Sequence, residues 1–174
     1  MIDKNIVQKW LVDEGMFKNE ISDDKSNFHF IINYPENHIM DLIQPLGKED
    51  MLLIGCATEI DPSQIEAMGN ASSERKRNFI WDIKLTLNQF LLDFELEHPN
   101  DVLQRFVITD EIYEDNLNKN NLILCIKKVF KGKLQCIWKL NKVFGDYSSK
   151  SNINNNNKNN NYNNNINNNN NNYI

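Results

Sequence analysis

Apolar residues open the chain at helical spacing. Ile6, Val7, Trp10 and Leu11 recur every three to four positions, which predicts a helix over residues 2–14. Asp3 is placed to cap it and Gly15 to stop it. The period then changes to two. Phe28, Phe30, Ile32 and Tyr34 share one side of residues 27–34, a strand pattern rich in aromatic and branched residues. Pro35-Glu36-Asn37 predicts a turn. Residues 38–44 predict a second strand, with Ile39 and Ile43 opposite Met40 and Leu42. Residues 51–60 are apolar on both sides, as in a central or doubly covered strand. A short further strand is expected near residues 16–21.

Asp61-Pro62-Ser63-Gln64 carries a helix start: a cap, a proline in the first turn and a glutamine three residues after the cap. Gly69-Asn70 breaks or bends that helix, and Ser72 or Ser73 restarts it. Phe79, Ile80, Ile83, Leu87, Phe90, Leu91 and Phe94 then keep helical spacing. Residues 93–97 and 103–113 alternate around the turn His98-Pro99-Asn100-Asp101 and predict a hairpin. Asn118 can cap a final helix, with Leu117 and Leu122 as a hydrophobic staple. Two columns run along it: Leu122, Val129, Cys136, Val143 and Ile123, Phe130, Ile137, Phe144. Ile126 and Leu140 widen the stripe, Gly145 is placed to end it, and Gly132 is a weak spot. The predicted order is α-β-β-β-α-β-β-α, an α+β fold with an antiparallel sheet packed by helices.

The end of the chain differs in kind. Seventeen of residues 151–174 are asparagine. Such a tract cannot bury enough apolar surface to fold. The expected organisation is one α+β domain over residues 1–145 and a disordered, asparagine-rich low-complexity tail over residues 146–174.

Two segments carry a resemblance. Ile112-Tyr113-Glu114-Asp115-Asn116-Leu117-Asn118-Lys119-Asn120 leads from strand into helix, and Phe79-Ile80-Trp81-Asp82-Ile83 lies in the middle helix. With this element order, residues 2–144 resemble YbjN-like and type III secretion chaperone-like proteins. They resemble most a family of small archaeal proteins known only as a domain of unknown function. The resemblance implies a compact, often dimeric domain that binds polypeptide rather than converting a substrate. It supplies no functional residue to carry over.

Charge narrows the partners. The net charge is −5, and Asp146, Lys150 and Lys158 leave −6 on residues 1–145. An acidic body does not attract phosphate backbones or anionic lipid over its whole surface. No apolar run reaches the about 18 residues that a membrane span needs. The first residues lack a signal-peptide pattern, so a cytoplasmic protein is expected. Three cysteines, Cys56, Cys125 and Cys136, are then expected as reduced thiols.

Candidate chemistry is sparse. His29, His38 and His98 lack metal-ligand spacing, although His29 and His38 could approach across a hairpin. No Gly-x-Ser-x-Gly elbow and no glycine-rich phosphate loop is present. Glu95, Glu97, Asp110, Glu111, Glu114 and Asp115 read as a solvated face. Arg75, Lys76, Arg77 and Trp81, with Lys127, Lys128, Lys131 and Lys133, form a strip that could touch RNA. The expectation is a non-catalytic protein-binding domain, chaperone-like or adaptor, without cofactor, metal or identified small-molecule substrate. Its partner would be another protein or a second copy. Phe130, Ile137, Trp138 and Phe144 are the candidate partner-binding residues. A regulatory domain with weak nucleic-acid contact is the alternative, and a small enzyme comes after it.

Overall fold

A computed structural model describes residues 2–145. The expectation of a disordered tail over residues 146–174 lies outside the described residues. The described part is an α+β domain with one six-stranded antiparallel sheet. In chain order the elements are α1 (Lys4–Asp13), β1 (Phe17–Ile21), β2 (Ser26–Asn33), β3 (Ile39–Pro45) and β4 (Met51–Glu59). They continue with α2 (Pro62–Gly69), α3 (Ser73–Gln89), β5 (Asp93–Glu97), β6 (Arg105–Tyr113) and α4 (Lys119–Phe144). The sheet order is β1-β2-β3-β4-β6-β5.

The predicted start signals act as read. The Asp3 carboxylate accepts from the Asn5 and Ile6 amides, Asp61 from Ser63, Ser72 from Arg75, and Asn118 from Asn121. Each satisfies an amide that the first helical turn leaves without a partner. Two details refine the predicted order and one departs from it. The further strand near residues 16–21 is β1, at the sheet edge, so the sheet has six strands where the eight-element order counted five. The middle helix is two helices, because Gly69 and Asn70 end α2 before Ser72 caps α3. Finally, α3 stops at Gln89 and does not run to Phe94. Leu91 adopts φ +54° and turns the chain, which sends Phe94 into β5.

Alternation sorts the strands into two faces. Phe28, Phe30 and Ile32 on β2, Met40 and Leu42 on β3, Leu52, Ile54 and Cys56 on β4, and Phe106 and Ile108 on β6 are buried. All four helices contribute to the same buried cluster, through Val7 and Leu11, Met68, Ile83 and Leu87, and Ile126 and Val129. Each such side chain stabilises the fold by about 1.5–3 kcal/mol relative to exposure. The opposite face shows His29, Ile31, Asp41, Ile43, Leu53 and Val107 half-buried.

Helix α4 lies against β4 and β6, with α3 beside it. It presses closest at Gly132. A Cβ there would run into Leu92 Cδ1 and would also touch Leu87 and Ile108. Glycine is the weakest helix former after proline, yet here it sets how deeply α4 seats. The ends of α4 are tied as well. The Gln64 amide donates to Asn141 Oδ1 (2.8 Å) and to the Gly145 carbonyl (3.1 Å).

Gly132→Val is expected to destabilise the domain by about 2–3 kcal/mol through overpacking. The readout is a lower urea midpoint at unchanged m-value. Gly69→Ala, where nothing lies within 4 Å of the added carbon, is expected to leave the midpoint unchanged or raise it.

Candidate partner-binding site

The outer side of α4 follows from its inner side. Leu122, Cys125, Val129, Gly132, Cys136 and Leu140 face the sheet and α3 and are buried. At 100° per residue, positions 127, 131, 134 and 138 must then share the opposite side. They do, and with Tyr34, Phe90, Phe130 and Gln135 they line a hollow of about 310 Å³. Its lining is mostly apolar, and Lys127 and Lys131 stand at its edge.

The four predicted partner-binding residues do not form one exposed face. Phe130 is only 9% exposed and belongs to the core. Its ring meets Tyr34 edge-on at 5.7 Å and His38 at 5.0 Å, so it floors the hollow. Ile137 is half-buried against the core and lies outside the lining. Phe144 is half-buried too, edge-on to Phe79 at 5.0 Å with the Arg75 guanidinium over its ring. It seals the α3–α4 contact. Trp138 alone is strongly exposed, at 58%. Phe130 and Trp138 therefore line one hollow, while Ile137 and Phe144 pack against the core. Lys127, Lys131 and Leu134 could have been found by helical spacing from Trp138. Tyr34 and Phe90 could not, since they arrive from distant loops.

The other candidates sort by geometry. His29 and His38 sit on opposite sides of the sheet and do not meet. The His29 ring bridges two carboxylates, with Nδ1 2.8 Å from Asp23 and Nε2 2.8 Å from Asp41. His38 is pulled below the usual imidazole value by its burial, then by Lys133. No group of three or more metal-binding side chains occurs among the described residues. All three thiols are free and buried. Burial pushes Cys56 up to about 11 and Cys136 up to about 12. Burial also raises Cys125, and the Asp110 carboxylate that accepts its S–H at 3.0 Å adds to this. Protonated, buried thiols are not nucleophiles.

Asp110 departs from the expected solvated face. It is 14% exposed, under α4, and paired with Lys128 at 2.7 Å. Glu111, Glu114 and Asp115 do line an open acidic hollow of about 810 Å³ with Asp50 and Tyr113. In the basic strip, the Arg75 guanidinium donates to the Val143 carbonyl. Trp81 is 61% exposed, with the Lys84 ammonium 5.5 Å from its ring centre. No helix among the described residues is long and apolar enough to cross a membrane.

Residues 3–140 match the family described as "Uncharacterized conserved protein (DUF2299)". A crystal structure of an uncharacterized protein from Methanothermobacter thermautotrophicus is 44% identical in sequence. It covers 83% of this chain and 100% of its own, with a TM-score of 0.81. YbjN from E. coli is 12% identical over 86% of this chain and 94% of its own. Its TM-score of 0.37 is too low to carry an argument. No curated protein matches the chain. The resemblance to an archaeal family of unknown function agrees with the first two findings.

Two outcomes follow from these side chains. With its thiols buried, the native protein is expected to resist a thiol reagent at neutral pH, and urea-unfolded protein to react at all three cysteines. The second concerns pH. The bond to His29, then the Lys25 amide, holds the Asp23 carboxyl below its ordinary value of 3.8. A lowered folded value gives stability that is present above the unfolded value and lost as pH falls through the folded one. The stability gap between wild type and Asp23→Asn is expected to be full at neutral pH, to start narrowing as pH approaches 3.8 and to go on narrowing as pH falls through the lowered folded value, measured by urea unfolding.

Proposed function

The chain belongs to the DUF2299 family, and on that footing we propose that it is a non-catalytic polypeptide-binding domain, an adaptor that works through the outer side of α4. One observation carries this reading. Trp138 stands exposed beside an apolar hollow whose floor, Phe130 and Tyr34, is held rigid by the core. Tryptophan pairs a large apolar ring with a polar N–H, which suits a surface that is wet when free and dry when bound. A side chain from a partner entering the hollow would displace water from Leu134, Phe130 and Phe90 together. Because the floor needs no rearrangement, little of the binding energy is spent on ordering it.

The helix also offers a reason why binding need not disturb the fold. Its core side is filled by Val129, Cys136 and Leu140, so the outer side is free to serve a partner. Apolar side chains on the partner at helical spacing would suit such a surface, as would an extended segment crossing it.

Selection of a random displayed-peptide library on the wild-type protein tests the proposal. Selected peptides are expected to bind Trp138→Ala at least about tenfold more weakly, a loss of about 1.4 kcal/mol. The variant is expected to melt close to wild type. Peptides that bind both proteins equally would sink the assignment of this groove.

A further inference from the structure

The charge along the two long helices is far out of line with the rest of the chain. α4 carries seven lysines and no acidic residue. α3 carries Arg75, Lys76, Arg77 and Lys84 against Glu74 and Asp82. Together they hold +9 in a chain of net charge −5, which leaves −14 on everything else. The helix layer is thus a basic side on an acidic molecule.

Part of that charge is already used. Lys119 is paired with Glu14, Lys128 with Asp110 and Lys139 with Asp82, each at 2.7 Å. Among the described residues, Lys127, Lys131, Lys133 and Lys142 have no carboxylate within ion-pair distance. Lys127 and Lys131 are the two that line the apolar hollow. They are one helical turn apart, which sets their Cβ atoms about 6 Å from each other. Ammonium groups outside any ion pair, beside an apolar floor, favour an anionic partner that also brings something apolar.

We propose that the partner at this groove is an acidic polypeptide segment, with an apolar side chain seated in the hollow and flanking carboxylates on Lys127 and Lys131. This rests on the reading of the groove as a polypeptide site. A nucleic acid offers the same sign of charge but fits less well. The hollow is bounded by side chains at about 310 Å³, a size that suits an aliphatic or aromatic side chain. A phosphate backbone longer than the about 39 Å of α4 would also run onto faces that hold the −14. At physiological salt those charges act over about 8–10 Å, so a short acidic segment escapes them where a long polyanion does not.

The experiment selects a random peptide library on the wild-type protein at low salt and measures the winners by fluorescence anisotropy. Acidic peptides with an apolar anchor are the expected winners. Lys127→Glu/Lys131→Glu is expected to weaken them at least about tenfold, as is raising the salt. Urea unfolding of the variant checks that it is folded, and Lys127→Gln/Lys131→Gln serves if it is not. Neutral or basic winners that still depend on Trp138 would overturn the acidic partner and leave the groove as a polypeptide site. No winner at all would overturn both. A poly-dT oligonucleotide that binds in the micromolar range or better, and loses binding with the same two substitutions, would overturn the proposal in favour of nucleic acid.

Discussion

Helix α4 packs closely on its neighbours at position 132 because that position has no side chain. Leu92, Leu87 and Ile108 occupy the space that a Cβ would need. With the other buried residues of its inner side, that contact sets the rotation of a 26-residue helix. Packing at crystal-like density does not accept small adjustments there, since a shift at one turn moves every turn of a rigid rod. The helix pays roughly 1 kcal/mol in propensity for the glycine. In return Ile126, Val129, Cys136 and Leu140 reach the sheet and are all but fully buried.

The outer side of α4 is a consequence of that rotation. With Leu122, Cys125, Val129, Gly132, Cys136 and Leu140 facing inward, Trp138 must face outward, and Phe130 falls at the flank of the buried side. Tyr34, from the end of β2, closes on Phe130 and supplies a wall. Phe90, at the C-terminal cap of α3, supplies another. The hollow is therefore a product of packing on the other side of the helix. Its floor is as rigid as the core to which it belongs.

Electrostatics follow the same division. The helix layer gathers +9, and the sheet, turns and remaining segments hold the compensating acid. Local pairs such as Lys139–Asp82 and Lys128–Asp110 link the helices to their surroundings. The more exposed of the two, Lys139–Asp82, contributes little to stability. Lys127 and Lys131 stand outside these pairs, at the edge of the hollow.

Much of the architecture was legible in the residues alone. Period-two alternation marked β2, β3, β5 and β6, because a strand on a one-sided core must alternate, and a continuous apolar run marked β4. Side-chain caps marked the starts of α1, α2, α3 and α4, because each satisfies local amides. The twin columns of α4 marked its inner side for the same local reason. What escaped was set by contacts between distant segments. Leu91 ends α3 with φ +54°, although Phe94 keeps the helical period, because the chain has to turn there into β5. Phe130 and Trp138 look alike as stripe residues, yet only Tyr34 and His38 make Phe130 a floor. Asp110 looks like its solvated neighbours until Cys125 and Lys128 cover it. Local sequence determined which segments are helix or strand and which side of each is apolar. The tertiary structure alone decided which apolar residues remain at the surface, because exposure depends on what another part of the chain leaves uncovered.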